Sequence, residues 1–177
     1  MLNKKTQVKK IFIDFDDVLI NTRALKKEYF RLFKKLGVPE EDAKKSYREI
    51  AVKYKGYKAD QHFGLLSKNY PEIFPKKTEK LLKSFFQKTK KHIFDDVINF
   101  LTWLRRNDRK IVLVSSGDYN FQKSKIMASG LSKYFHQIYI TKDHHKSACL
   151  KKIGLLSGDG FIFLDDREEV IEDVKKH

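Results

Sequence analysis

The chain has 177 residues, 41% of them hydrophobic and 13% aromatic, which suits one domain with a full core or a domain carrying an inserted subdomain and excludes a wholly disordered chain. Its formal net charge is +15, and its one cysteine, Cys149, excludes an internal disulfide framework and any Cys-based zinc cluster. No apolar run approaches the roughly 18 residues needed to span a bilayer, and the first ten residues carry no apolar stretch of the secretory kind, so a cytoplasmic protein with no membrane partner is expected.

The first predicted element is a buried strand at Ile11, Phe12 and Ile13, which breaks at once into Asp14, Asp16 and Asp17. A strand that stays apolar to its end and then presents acids places them at the carboxyl edge of a sheet, where open α/β folds bind ligands. Two unit charges 4 Å apart repel by about 4 kcal/mol at an effective dielectric near 20, so the cluster calls for a cation, and hard carboxylate oxygens suit Mg2+. A solvated turn is the alternative, since Asp is common in turns.

A helical tract follows. Leu25, Tyr29, Leu32, Phe33 and Leu36 form one apolar stripe that Gly37 ends, and Pro39-Glu40-Glu41 opens a second helix with Ala43, Tyr47, Ile50, Ala51 and Tyr54. Gly56, Gly64, Pro71 and Pro75 punctuate a looser region before Thr78, which is placed to cap a helix carrying Leu81, Leu82, Phe85 and Phe86. The tract reads as three or four helices forming a small separate layer, with the aromatic stripes as core. Between Thr22 and Lys91 there are 20 Lys+Arg against 8 Asp+Glu, so most of the excess charge sits here. Such a surface attracts nucleic acid, acidic membranes or small anions, but with no RNA-binding motif and no Gly/Arg tract it reads first as solvated helix faces.

Ile93, Val97, Phe100, Leu101 and Leu104 then predict an amphipathic helix, with Asp95 and Asp96 near its start and Arg105 and Arg106 near its end, as the helix dipole favours. A second strand, 111–114, ends in Ser115-Ser116-Gly117-Asp118, and a helix with Phe121 and Ile126 runs to Gly130. A third strand, 138–140, leads into a loop with Lys142, His144, His145 and Lys146, and a short helix carries Cys149, Leu150 and Ile153. After a turn at 157–160, a fourth strand, 161–164, ends in Asp165-Asp166. Strands alternating with helices imply an α/β fold with a parallel sheet.

The strand ends together hold a carboxylate nucleophile, hydroxyls and an ammonium for phosphate oxygens, and acids for a metal, the parts of a phosphoryl-transfer site. In that order, Asp14-x-Asp16, Ser115, Lys146 and Asp165-Asp166 resemble the four motifs of the haloacid dehalogenase (HAD) superfamily of hydrolases, over residues 8 to about 175. The resemblance implies a Rossmann-like three-layer core, residues 1–21 and 92–177, with an inserted helical (C1-type) cap at 22–91. It implies that Asp14 attacks phosphorus and becomes a phospho-aspartate, while Asp16 protonates the leaving oxygen and later activates water. Ser115 and Lys146 would hold the phosphoryl group, helped by Ser116 and backbone N–H groups near it and near Phe15. Asp14, the Asp16 carbonyl, Asp165 and Asp166 would hold Mg2+. Family dehalogenases lack the second Asp, so Asp16 favours a phosphatase for a small phosphorylated metabolite, such as a nucleotide or sugar phosphate. The alternatives are cleavage of a carbon–phosphorus bond, which relatives perform with a cap lysine, or a catalytically weak protein whose basic cap binds nucleic acid. Lys142 stands beside Lys146 as a second candidate for the phosphate-binding lysine, and His144 and His145 as candidates to touch substrate. Asp17-Val18 departs from the Gly-Thr common in the family, and the chain ends at His177, soon after the fourth motif, where relatives commonly add a fifth strand. Either a short sheet or a longer sequence is expected.

Overall fold

A computed structural model describes residues 8–74, 76–142, 146–152 and 160–176. Four strands, β1 (Lys10–Ile13), β2 (Lys110–Ser116), β3 (Gln137–Thr141) and β4 (Phe161–Leu164), form one parallel sheet in the order β3-β2-β1-β4. Because side chains alternate across a strand, Ile11 and Ile13 enter one apolar cluster with Ile111 and Leu113, while Phe12 enters another with Val112 and Val114. The first face is covered by helices α1 (Thr22–Lys35), α5 (Val97–Arg106) and α6 (Tyr119–Ser129), the second by α7 (Lys146–Lys152) and α8 (Glu168–Lys175). The result is the three-layer, Rossmann-like α/β core expected from the sequence. The chain runs from β1 outward to β2 and β3, then returns to set β4 on the other side of β1. The topological switch therefore lies between β1 and β4, whose carboxyl ends carry Asp14 and Asp165.

Between β1 and α5 the chain inserts α1, α2 (Glu40–Lys53), α3 (Ala59–Asn69), α4 (Thr78–Lys88) and a 3-10 turn (Thr89–His92). Asn21 caps α1 by accepting from the Ala24 N–H at 2.9 Å. The looser region expected around Gly64 contains α3, because Ala59, His62, Phe63 and Leu66 recur at helical spacing and bury. Thr78 is not a cap: it is the first residue of α4, and its buried hydroxyl has no hydrogen-bond partner among the described residues. The helix expected from Ile93 begins at Val97 instead. Its first residues are drawn into extended contacts, with Ile93 bridging Ile20 and the Phe94 N–H donating to Leu19 O at 3.2 Å.

The inserted helices were expected to form a separate layer, but they share one apolar cluster with the sheet, running from Ile13 and Phe15 through Leu25, Phe33 and Phe63 to Phe85. Phe121 of α6 joins the two, stacking on Phe85 and meeting Tyr57 and Phe86 edge-on. Each buried ring of the cluster, such as Phe33, Phe63 and Phe85, contributes about 1.5–3 kcal/mol relative to exposure, so the insert is held against the strand ends by packing. No described helix is long and apolar enough to cross a membrane.

Candidate active site

Asp14 follows β1 directly, and its N–H continues the ladder to Leu164 O at 2.9 Å. Residues 15–20 then fold into a tight turn in which the Leu19 and Ile20 N–H groups both donate to Phe15 O. Asp17 supplies the left-handed residue of that turn, at φ 55°, and its carboxylate accepts from the Thr22 N–H at 2.9 Å. Asp tolerates this conformation better than most non-glycine residues. Asp17 is thus a turn residue that fastens the start of α1, the role its sequence position left unassigned.

Two groups of functional side chains emerge at this edge. In the first, Lys146, the opening residue of α7, is 2% exposed and places its ammonium 2.8 Å from Asp14 Oδ1 and 2.6 Å from Asp165 Oδ2. The Arg167 N–H donates to Asp165 Oδ1 at 3.1 Å. Asp166 completes a trio: Asp14, Asp165 and Asp166 each offer an oxygen within 4.8 Å of the others. One ammonium faces three carboxylates. Burial, only partly offset by Lys146, pushes the Asp14 carboxyl up to about 6, and burial followed by repulsion from Asp165 raises Asp166. Hard oxygen donors with excess negative charge are the donor set that a divalent cation such as Mg2+ fits. Lys142 is exposed at the rim of the neighbouring cleft and makes no ion pair among the described residues, so Lys146 is the lysine that reaches the acids. His144 and His145 lie outside the described residues.

The second group surrounds Asp16. Its carboxylate accepts from Lys125 Nζ at 2.6 and 2.8 Å, from Thr22 Oγ1 at 2.6 Å and from Gln122 Nε2 at 2.8 Å. Burial would raise this carboxyl, but the Lys125 ammonium and the hydrogen bonds outweigh it and hold Asp16 below the usual carboxylate range. The same Gln122 Nε2 donates to Ser115 Oγ at 3.2 Å and to Ser116 O at 2.8 Å. Ser115 is fully buried within β2, whereas Ser116 is half-buried, bonds Thr141 through their hydroxyls at 2.9 Å and borders the cleft. Gly117 adopts φ +139°, and a Cβ there would press on Gln122 at 3.2 Å. The turn after β2 is therefore glycine so that Gln122 can reach across to Asp16.

Gln122 and Lys125 were absent from the sequence-based candidates. They lie on α6, capped by Asp118, which accepts from the Phe121 N–H at 3.0 Å. The available signal was positional: Gln122, Lys125 and Ser129 occupy the same helical face as buried Ile126, where solvated polar residues do not belong.

Beside the second group opens a cleft of about 880 Å³, its mouth included, lined by Asp16, Ser116 and Lys125 on the core side and by the insert on the other. Lys58 of the insert approaches Asp118 at 3.6 Å across it.

The sequence pattern of the family described as haloacid dehalogenase-like hydrolase matches residues 11–154. Among solved structures, a haloacid dehalogenase-like hydrolase from Burkholderia xenovorans is 18% identical, with 96% of this chain and 79% of that one covered and a TM-score of 0.71. The HAD hydrolase YfnB from Bacillus subtilis, solved with magnesium, is 18% identical over 82% and 72% of the two chains, with a TM-score of 0.58. The L-2-haloacid dehalogenase of Xanthobacter autotrophicus is 14% identical over 96% and 74%, with a TM-score of 0.60. These likenesses establish the shared fold. No curated protein matches the sequence at a significant level. The matched pattern spans well over half of the chain, from the acidic end of β1 past Lys146, and this protein belongs to the haloacid dehalogenase-like hydrolase family.

Proposed function

We infer that this hydrolase is a Mg2+-dependent phosphatase that acts on a small phosphate monoester through a phospho-Asp14 intermediate. The observation that carries the reading is the division of Asp14 and Asp16, two residues apart, between separate cations: Lys146 on one and Lys125 on the other. Expelling a halide needs no proton, whereas an alkoxide leaving a phosphate ester does, so a second carboxylate with its own hydrogen-bonded partners suits ester cleavage.

Asp14 is the nucleophile. Its carboxylate oxygen forms a bond to phosphorus as the bond from phosphorus to the leaving oxygen breaks. The Asp16–Lys125 pair delivers a proton to that leaving oxygen. In the second half, a water attacks the phosphoryl group, Asp16 accepts its proton and the bond to Asp14 breaks, which releases phosphate. Asp16 is held ionised in the free protein, the form this second step requires. Lys146 neutralises equatorial oxygens of the transferring group, and Ser116, at the end of β2, offers a hydroxyl to them from the cleft. Asp14, Asp165 and Asp166 would hold Mg2+, which supplies the remaining positive charge for those oxygens. A small anion is favoured over nucleic acid, because Lys26, Lys55 and Lys142, which make no ion pair among the described residues, border a concave cleft.

The test is release of inorganic phosphate from a panel of phosphate monoesters and phosphonates, with halide release from 2-haloacids measured in parallel. Phosphate release that requires Mg2+, stops with EDTA and falls at least about 10⁴-fold in Asp14→Asn is expected. Halide release without phosphate release, or turnover unchanged in Asp14→Asn, overturns the reading.

A further inference from the structure

The cleft has a wall that the chemistry at the strand ends does not use. Tyr47 and Tyr57 stack at 4.5 Å with 16° between their planes. Tyr57 meets Phe121 edge-on at 5.1 Å, Phe121 stacks on Phe85 at 5.5 Å, and Tyr29 packs on Phe85 at 4.7 Å. All five rings border the cleft that Asp16, Ser116 and Lys125 line on the core side.

We propose that this wall receives a planar aromatic ring on the alcohol side of the substrate, so that the phosphate monoester is nucleotide-like and not a bare sugar phosphate. The inference rests on the phosphatase reading only for the end of the cleft that takes the phosphate.

Three observations carry it. Two of the wall's three tyrosine hydroxyls, those of Tyr29 and Tyr57, are already spent. Ser46 Oγ donates to Asp42 O at 2.8 Å, so it must accept from His62 Nε2 at 2.9 Å. His62 Nδ1 then accepts from the Tyr57 hydroxyl at 2.9 Å, and the Tyr57 oxygen accepts from Tyr29. Tyr54 donates to Gln61 at 2.9 Å. A sugar pressed on these rings would lose hydration at its hydroxyls without a partner on the ring faces, whereas the face of a planar ring has no hydrogen-bonding group to desolvate and gains stacking. Second, the same chain of hydrogen bonds locks Tyr57 and Tyr29 from behind, so the wall is preorganised before ligand arrives. His62 and Ser46 are positioning residues in this sense. Third, the Lys26 ammonium lies 3.9 Å from the Tyr47 ring centroid, a flexible cation over an aromatic face at the cleft. With Lys55 and Lys142 it surrounds the rings with positive charge, which complements an aromatic anion.

The matched pair is a nucleoside 5′-monophosphate and ribose 5-phosphate. They share the phosphate ester and the pentose and differ by the ring, so leaving-group reactivity cancels. Wild type, with Mg2+, is expected to favour the better of the adenosine and uridine monophosphates over ribose 5-phosphate at least tenfold in kcat/KM, chiefly through KM. Tyr47→Leu should bring that ratio toward unity, and Tyr47→Phe should keep it. A wild-type ratio near or below one overturns the proposal, as does a ratio that Tyr47→Leu does not move. The wild-type ratio decides alone if Tyr47→Leu does not fold. If neither ester is hydrolysed, the phosphatase reading has failed separately. Calorimetric binding of the same two ligands then decides: nucleotide tenfold tighter upholds the ring site, and equal or absent binding overturns it.

Discussion

The strand-end site and the helical insert solve opposite problems with the same chain. At the strand ends, carboxylates are crowded together and order comes from ion pairs: Lys146 between Asp14 and Asp165, Lys125 on Asp16. In the insert, rings are crowded together and the polar atoms are neutral, linked from Tyr29 through Tyr57 and His62 to Ser46. The first arrangement is electrostatically tense, with two carboxyls pushed up. The second is satisfied internally and offers shape. In the proposed reading, reactivity sits where the sheet's register fixes it, and selectivity where side-chain packing can vary.

The largest test of that contrast is Lys146→Met. It leaves Asp14 and Asp165 buried without their ammonium, and removing one partner of such a group costs about 3–5 kcal/mol. Urea unfolding should show that loss, and Mg2+ should restore more stability to the variant than to wild type. A variant as stable as wild type would mean that the acids are not held in the state drawn from the structure.

The insert should respond to acid instead. Burial, only slightly opposed by the Ala43 backbone, depresses His62 to about 4. The unfolded chain takes up the proton near 6.5, so between those values unfolding binds a proton that folding excludes. The stabilisation is therefore complete above about pH 6.5 and is lost as pH falls toward 4, by roughly 3 kcal/mol in all. His62→Gln should be less stable at pH 7.5 and lack this component, which paired unfolding curves at pH 5 and 7.5 would reveal.

Lys125→Met tests whether the second ion pair is chemical or structural. Loss of the proton-carrying partner of Asp16 should lower kcat about 10²-fold, equivalent to about 2.7 kcal/mol, with a smaller change in KM. An effect confined to KM would reassign Lys125 to binding alone. The smallest effect is at the junction of the two regions: Asn21→Ala removes the α1 cap and should cost about 1 kcal/mol in thermal unfolding without changing the substrate preference.

Much of this was legible in the chain, and unevenly so. The four strands and their parallel order of use followed from short apolar runs ending in polar residues. Asp14, Asp165, Asp166 and Lys146 were found because each follows or opens an element at the same sheet edge. Lys125 and Gln122 were not. Helix positions four and seven residues past the Asp118 cap carry no local mark of facing a carboxylate 106 or 109 residues earlier in the chain. Thr78 misled for the reverse reason: a Thr before an apolar run resembles a cap, but the backbone enters α4 one residue earlier, at Lys77. The α3 helix was obscured by Gly64, whose propensity cost of about 1 kcal/mol is outweighed once His62, Phe63 and Leu66 bury.

By itself, the sequence determined what obeys local rules: hydrophobic period sets strand or helix, and the end of a strand sets which side chains reach the edge. Only the tertiary structure decided which cation faces which acid, that the insert shares the core of the sheet, and that five rings converge on one cleft. Those contacts join residues far apart in the chain, and their energies exist only once the intervening segments have packed.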